Sequence, residues 1–220
     1  MAPLRVGFAY DNYMLLHENY KRYHPERPAR LMSIYTHLEK KGLIDECIRI
    51  KCPKVDMKHV EKLHKPAMIK EAEESKYNSK LIRKGKEVIK EDGEVSYIGQ
   101  DVYTNKYSHD CALMAAGASV EACRQVFQEK SVDTVFAAIR PPGHHADCEK
   151  IQGFCFFNNV AIAAKYLQDE CGKKKICIFD WDVHCGDGTA QLFYEDDSVL
   201  YISMHRYDDG SFYPGRIGGP

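Results

Sequence analysis

Short apolar runs alternate with amphipathic stretches along this chain. Four runs predict β-strands, the last three of them buried: residues 4–10, 134–139, 175–181 and 199–204. Between these runs, apolar residues recur at helical spacing after Pro28 and within 109–128 and 160–167. Strands that alternate with helices predict an α/β fold, in which a parallel sheet is flanked by helices on both faces.

The segment 51–93 has a different pattern, because it is rich in Lys and Glu. Its apolar positions are Val60, Leu63, Met68, Ile69, Leu81, Ile82, Val88 and Ile89. This pattern predicts peripheral helices with one solvated face rather than a binding tail.

Composition and charge narrow the class of protein. The 220 residues, 44% of them hydrophobic and 29% charged, suit one sizeable globular domain. The net charge is only -1, so the basic excess of a general nucleic-acid binder is absent. No apolar run is long enough to span a bilayer, and the first residues lack the apolar core of a signal peptide, so we expect an intracellular protein. The nine cysteines form no Cys-x-x-Cys pair, which predicts reduced thiols rather than disulfides.

Three predicted strands are followed by polar clusters, and in α/β folds function collects at the carboxyl ends of strands. The first cluster is the segment 140–147, Arg-Pro-Pro-Gly-His-His-Ala-Asp. A rigid Pro-Pro-Gly turn precedes two adjacent histidines, His144 and His145. Because imidazole titrates near neutrality, such a pair can divide the roles of general base and electrostatic stabiliser.

The second cluster follows the strand at 175–181. If the strand period of two continues, Asp180, Asp182 and His184 point to one side, and Cys185 points to the other. Two carboxylates and an imidazole at a buried strand end predict a divalent metal, either zinc, iron or cobalt. The alternative is a hydrogen-bonded turn whose corner is Asp187 and Gly188.

The third cluster begins at Ser203 and continues into an aromatic loop at 211–215, which suits either a substrate groove or ordinary packing. Between the first two clusters lies the segment 153–159, Gly-Phe-Cys-Phe-Phe-Asn-Asn. There Phe154 suits the wall of a narrow apolar slot, and Asn158 or Asn159 suits the N-cap of the next helix.

Together these motifs resemble a zinc-dependent histone deacetylase of class II, in the arginase/deacetylase superfamily. The resemblance rests on the segments at 24–28, 140–145, 153–161, 180–184 and 203–207. It implies an arginase/deacetylase-like parallel sheet flanked by helices, and hydrolysis of acetyl-lysine amides. It also implies that residues 1–220 are the N-terminal portion of the catalytic domain. The Arg-Pro-Pro and His-Arg-Tyr forms favour class II.

The resemblance implies a role for each matching residue. The catalytic residues are His144, His145, Asp180 and Asp187. The acetyl-lysine tunnel is formed by Gly153, Phe154 and Tyr213. The zinc ligands are Asp182 and His184. Potassium ligands come from Asp180, His184, Ser203 and Met204 at one site, and from Phe193, Asp196 and Val199 at a second.

Two departures from the family pattern change the expected activity. The family's third zinc ligand and its carbonyl-polarising tyrosine come later than Pro220, so we expect a truncated domain with weak zinc binding and little turnover. Cys185 stands where the family usually has a second histidine. Two alternatives remain, a catalytically inactive deacetylase-like interaction module and an acetylpolyamine deacetylase. An arginase-type enzyme is disfavoured because the repeated Asp-x-Asp pattern for two metals is absent.

The expected partners also follow from the resemblance. They are an acetylated protein, such as a histone tail or a tubulin-like substrate, and a corepressor complex. We expect no direct binding to nucleic acid or to a membrane. We expect the protein to reside in the nucleus, the cytoplasm or both.

Overall fold

The computed structural model describes residues 3–75 and 95–219. The predicted helical positions Leu81, Ile82, Val88 and Ile89 lie outside the described residues. The strands are β1 Val6–Ala9, β2 Ile48–Ile50, β3 Ser96–Ile98, β4 Val102–Thr104, β5 Thr134–Ala137, β6 Ile176–Asp180 and β7 Val199–Ser203. The helices are α1 Ala29–Lys40, α2 Met57–Val60, α3 Pro66–Glu74, α4 Ser108–Phe127, α5 Asn159–Asp169 and α6 Asp187–Phe193.

Five of the strands form parallel pairs, as the alternation of strands and helices predicted. β1 lies between β2 and β5, with Phe8 opposite Arg49 on one side and Phe136 on the other. β6 pairs with β7 in a separate two-stranded sheet, in which Asp180 lies opposite Ser203. β3 and β4 form a short antiparallel hairpin. The α/β prediction with parallel strands is confirmed.

Helix α4 is the central support of the domain, because its first ten residues are buried almost all round. Ala112 and Ala116 belong to the hydrophobic cluster that also contains α5 and β6, whereas Ala115 and Ala118 belong to the cluster around β1. Small side chains let neighbouring backbones come close to α4. At Gly117 the approach is so tight that a Cβ would lie 1.9 Å from the carbonyl oxygen of Pro53.

The predicted buried strands are buried on one side only. In β6, Ile178 is buried, whereas Phe179 is half exposed; in β7, Val199 is buried and Leu200 is exposed. In β5, Phe136 is similarly half exposed. The continuous apolar runs therefore predicted the strands but overstated their burial.

No helix within the described ranges, 3–75 and 95–219, is both long and apolar enough to cross a membrane.

Candidate active site

The four predicted catalytic residues form two His–Asp pairs at the carboxyl ends of β5 and β6. The loop after β5 carries His144 and His145. His144 donates from Nδ1 to Asp180, the last residue of β6, at 2.9 Å. His145 donates from Nδ1 to Asp187, the first residue of α6, at 2.6 Å. These four residues are up to 43 positions apart in the sequence. They meet because the loop after β5, the end of β6 and the start of α6 lie at one place.

His145 is held as a neutral base with a defined tautomer. Burial lowers its pKa, and the hydrogen bond to Asp187 acts in the opposite direction without reversing the shift. Since Nδ1 carries the proton given to Asp187, Nε2 keeps its free lone pair. Asp187 also accepts a hydrogen bond from the side chain of Gln152 at 3.1 Å, which fixes the second carboxylate oxygen. Gln152 was missed at the sequence level, since nothing local sets it apart.

Asp180 is the more heavily bonded of the two orienting carboxylates. Besides His144, it accepts from the hydroxyl of Tyr201 at 2.9 Å. Burial alone would raise its pKa, but the hydrogen bond and charge of His144 outweigh burial and lower it. Tyr201 was also missed, although its position on β7, two residues before the predicted Ser203, puts it near the same strand ends.

The residues after Asp180 converge for a different reason from the one predicted. The strand ends at Asp180, so the period of two does not continue. Instead, the Asp180 side chain accepts from the backbone N–H of Asp182 at 3.1 Å, and the Asp182 side chain accepts from the N–H of His184 at 2.8 Å. Two successive turns capped by aspartate thus replace the extended backbone.

The change in backbone also separates Cys185 from its neighbours in burial. Trp181 and Val183, the alternate residues before it, are exposed, whereas Cys185 is buried. Burial raises the pKa of its thiol.

Asp182 and His184 lie close enough together to bind the same metal ion. Oδ1 of Asp182 lies 3.1 Å from Nδ1 of His184. Zinc bonds of about 2.0–2.1 Å at tetrahedral angles separate neighbouring donor atoms by roughly 3.3 Å, so this pair fits zinc as two of its donors. Among residues 3–75 and 95–219, no group of three or more His, Cys, Asp or Glu is arranged to hold a metal ion. Zinc binding by Asp182 and His184 stays a prediction.

Two of the predicted tunnel residues, Gly153 and Tyr213, lie against His145. Gly153 has a left-handed φ of +57°, and a Cβ there would lie 2.4 Å from Cδ2 of His145. Glycine is therefore required for this close approach. Phe154 packs edge-on against His24 at 4.9 Å, and Tyr213 packs edge-on against His145 at 4.8 Å. Phe212, which was not singled out, stacks on His184 at 5.0 Å.

The first set of predicted potassium ligands lies near the same strand ends, and members of both predicted sets already have partners. The carbonyl of Asp180 accepts from the N–H of Met204 at 2.9 Å, and the hydroxyl of Ser203 lies 2.7 Å from Nδ1 of His205. At the second candidate site, the carboxylate of Asp196 pairs with Lys165 at 2.7 Å. The carbonyls of Phe193 and Asp196 accept from the N–H groups of Asp196 and Val199, respectively. Potassium binding stays a prediction.

A buried charged cluster anchors the loop that carries the histidines. Arg140 is fully buried and forms two hydrogen bonds to Glu26, at 2.9 and 2.7 Å. It also donates to Tyr103 at 2.8 Å and to the carbonyl of Met14 at 2.8 Å. Four segments of the chain are thereby joined at the base of the site.

The charges in this cluster are balanced internally. Burial lowers the pKa of His17, so that imidazole is neutral at pH 7. Burial opposes ionisation of Glu26, but the hydrogen bonds from His17 and Arg140 and the charge of Arg140 outweigh it and lower the pKa of Glu26. Arg140 is then the cation that neutralises Glu26 at pH 7.

Comparison with known proteins places this geometry in a family. The histone deacetylase domain family matches residues 24–219. Human histone deacetylase 7 is 36% identical over 225 residues, covering 97% of this chain and 24% of that protein. Human histone deacetylase 9 is 36% identical over 98% of this chain and 22% of its own length. Histone deacetylase 5 of Arabidopsis thaliana is 36% identical over 98% of this chain and 32% of its own length.

A solved structure shows the same fold. The crystal structure of the HDA15 HD domain superposes with a TM-score of 0.85 at 36% identity, covering 96% of this chain and 56% of that one. The chain belongs to the histone deacetylase family, in the class II group that its motifs predicted. It spans about a quarter to a third of the length of the curated relatives named above.

Proposed function

We propose that this chain carries part of the active site for zinc-dependent hydrolysis of acetyl-lysine amides. The observation that carries the proposal is the convergence of two His–Asp pairs. His144 with Asp180 and His145 with Asp187 lie beside a carboxylate–imidazole pair suited to zinc. Bound zinc would polarise the amide carbonyl and lower the pKa of a coordinated water toward about 7.

The other roles belong to side chains of this chain. His145 has a free Nε2, so it would take a proton from the attacking water and return it to the leaving lysine amine. Asp187 fixes its tautomer. His144, held by Asp180, would stabilise charge that develops on the reacting amide. Asp182 and His184 would hold the zinc.

The walls of the site suit an uncharged amide on an aliphatic stem. Gly153 brings the backbone up to His145, Tyr213 packs edge-on against the same ring, and the neighbouring Phe154 packs against His24. Aromatic walls exclude water from the stem of acetyl-lysine. The substrate class we propose is an acetylated protein, either a histone tail or a tubulin-like protein. A corepressor complex and residence in the nucleus or cytoplasm belong to the same proposal.

A complete site requires groups beyond those described. Catalytic zinc takes three protein ligands and keeps one position open, and Asp182 and His184 are two of the three. The family resemblance assigns neither the third ligand nor a carbonyl-polarising tyrosine to any of the residues described here. Loss of one such donor typically lowers the rate about 10²–10³-fold. Potassium is a further expected cofactor.

An inactive deacetylase-like interaction module is the second candidate. It is favoured by one observation, which is that the described residues contain no group of three metal ligands. In that case the fold and its surfaces would be kept without turnover.

The deciding experiment combines zinc titration with hydrolysis of an acetyl-lysine peptide by the 220-residue chain. We expect weak zinc binding and slow, hydroxamate-sensitive turnover that His145→Ala removes. His37→Ala, an exposed histidine on α1, is the matched control and should change nothing. Zinc binding without any turnover would favour the inactive module. Turnover that survives His145→Ala or removal of zinc contradicts the proposed chemistry, and fast turnover contradicts the proposed need for further groups.

A further inference from the structure

The two His–Asp pairs of the site differ in how their carboxylates are shared. Oδ2 of Asp180 accepts from Nδ1 of His144 at 2.9 Å, and the same oxygen accepts from the hydroxyl of Tyr201 at 2.9 Å. In the other pair, Nδ1 of His145 lies 2.6 Å from Oδ1 of Asp187, and a further side-chain donor to that carboxylate bonds to Oδ2 instead. One histidine thus shares its acceptor oxygen with a tyrosine, and the other is separated from the second donor.

The lengths of the two bonds agree with this difference. Two donors on one carboxylate oxygen draw on the same negative charge, so each bond is weaker than it would be alone. The shared oxygen of Asp180 accepts at 2.9 Å, whereas Oδ1 of Asp187 accepts at 2.6 Å. The acceptors that hold the two imidazoles are therefore of unequal strength.

The register of the β6–β7 pair places Tyr201 for this contact. Tyr201 lies opposite Ile178, and Asp180 lies opposite Ser203. Residues two apart on a strand lie on the same face, about 6.6 Å along the strand, so only a long side chain from Tyr201 can reach Asp180. The ring of Tyr201 packs against the hydrophobic cluster that contains α5 and β6, which fixes the position of its hydroxyl.

Gly186 shows that the three polar atoms form one compact group. A Cβ on Gly186 would lie 2.4 Å from Oη of Tyr201, 2.6 Å from Oδ2 of Asp180 and 2.9 Å from Nδ1 of His144. The backbone of the loop before α6 therefore packs directly on this group. The hydroxyl of Tyr201 belongs to the same arrangement as the His144–Asp180 bond.

We propose that Tyr201 is a positioning residue that makes the two His–Asp pairs unequal. Its hydroxyl holds the carboxylate of Asp180 in place and takes part of the charge that otherwise binds His144. A phenol with an ordinary pKa of about 10 stays protonated at pH 7, so the hydroxyl is a constant donor. The inference rests on the proposed function: the tighter pair contains His145, which moves the proton, and the shared pair contains His144, which stabilises charge.

The Nδ1 proton of each histidine reports on these bonds, because an imidazole N–H resonance moves downfield as its hydrogen bond strengthens. The 220-residue chain is labelled with ¹⁵N-histidine, freed of metal by a chelator and measured by NMR at pH 7. In the unmodified chain we expect the His145 proton downfield of the His144 proton. We also expect a cross-peak between the His144 proton and the hydroxyl proton of Tyr201. Absence of that cross-peak overturns the inference without any substitution.

Tyr201→Phe removes the second donor to the shared oxygen. The His144–Asp180 bond should strengthen, so we expect the His144 proton to move downfield and the His145 proton to stay in place. Tyr166→Phe on α5 is the matched control, because it removes a hydroxyl that bonds to Gln128 at 2.8 Å. It should move neither resonance. A His144 proton that does not move in Tyr201→Phe overturns the inference.

Replacement of Tyr201 by meta-fluorotyrosine gives a second test that keeps the hydroxyl and the packing of the ring. Fluorine makes the hydroxyl more acidic and thus a stronger donor, so the His144 proton should move upfield, opposite to the change in Tyr201→Phe. A shift in the same direction for both replacements contradicts a shared acceptor.

Turnover of an acetyl-lysine peptide with zinc present gives a kinetic readout. The hydroxyl of Tyr201 bonds to Asp180, so its loss should act on the transition state through His144. We expect Tyr201→Phe to lower kcat about three- to tenfold and to leave KM unchanged. Tyr166→Phe should leave both constants unchanged. A change in KM alone contradicts the positioning role.

The outcome is separable from that of the proposed function, because the NMR measurement needs neither zinc nor turnover. The expected resonance shifts in a chain that hydrolyses no acetyl-lysine support the role of Tyr201 at the His–Asp pairs and contradict the proposed chemistry. Turnover that depends on His145, in a chain whose His144 resonance is insensitive to Tyr201, supports the chemistry and contradicts the inference.

Discussion

Gly153 illustrates how a single residue sets the geometry of the site. It combines a left-handed backbone with a contact to the His145 ring that leaves no room for a Cβ. We expect Gly153→Ala to be destabilising by about 1–3 kcal/mol more than Gly172→Ala. Gly172 also has a positive φ, of +64°, but has open space around it, so its substitution measures the backbone cost alone. Urea unfolding compares the two variants, and equal costs would show that the His145 contact is relaxed.

A second prediction at the scale of the residue concerns the buried pair of Glu26 and Arg140. Glu26→Ala leaves the fully buried guanidinium without its counter-charge, so we expect a loss of about 3–5 kcal/mol in the free energy of unfolding. Glu26→Gln combined with Arg140→Met removes both charges and should recover much of this loss. The control is Arg5→Ala, which breaks an exposed pair with Asp133 and should have a far smaller effect. Comparable losses for Glu26→Ala and Arg5→Ala would contradict the structural role.

At this scale the sequence predicts residues that follow strand ends and misses their long-range partners. His144, His145 and Asp180 were predicted because each lies next to a predicted strand. Glu26 meets Arg140 across 114 positions. No local pattern indicates such a contact, because the pairing depends on how several loops pack at the base of the site.

At the scale of the element, α4 shows a case in which tertiary contact reverses local preference. Alanine normally stabilises a helix relative to glycine by about 1 kcal/mol. At Gly117 a Cβ would meet the backbone of Pro53 at 1.9 Å and of Val55 at 2.7 Å. We therefore expect Gly117→Ala to destabilise the domain by about 1–3 kcal/mol, measured by urea unfolding. Ser119→Ala on the same helix is the control, and a stabilised Gly117→Ala would refute the close contact.

Elements with a clear apolar run or a clear helical spacing of apolar residues were predicted, and most of the shortest elements were not. The strands at 6–9, 134–137 and 176–180 were all found inside predicted runs. The strands β2, β3 and β4, of three residues each, and helix α6, of seven, carry too few periodic positions to stand out. The end of β6 was misplaced because Asp180 and Asp182 bond to nearby backbone N–H groups, a local preference that competes with strand extension.

At the scale of the whole molecule, His64 ties separate parts of the chain together. Its Nδ1–H donates to the carbonyl of Asp147 at 2.7 Å, and its Nε2 accepts from the N–H of Asn158, the N-cap of α5, at 3.1 Å. Burial lowers its pKa to about 4, so the ring is neutral in the folded domain at pH 7. One imidazole thereby joins the region before α3 to the loop behind the histidines and to α5.

This arrangement predicts a pH dependence of stability. The unfolded chain, with a His pKa of about 6.5, binds the proton first as the pH falls. The contribution of neutral His64 is therefore complete above about pH 6.5 and is lost as the pH falls toward 4. Between pH 7.5 and 5.0 we expect His64 to account for a loss of about 2 kcal/mol. Urea unfolding of His64→Gln should show a correspondingly flatter pH dependence, whereas His37→Gln should follow the unmodified chain. An identical slope for all three proteins contradicts the prediction.

Trp181 is the single tryptophan of the sequence, and it lies between Asp180 and Asp182 with 81% of its surface exposed. Its ring meets Phe179 edge-on at 6.1 Å. The domain consequently carries an intrinsic fluorophore at the junction of the candidate active site and the exposed face of the β6–β7 sheet. Its emission maximum in the free chain should resemble that of an indole in water, and a blue shift would signal, without any added dye, that the junction has become covered.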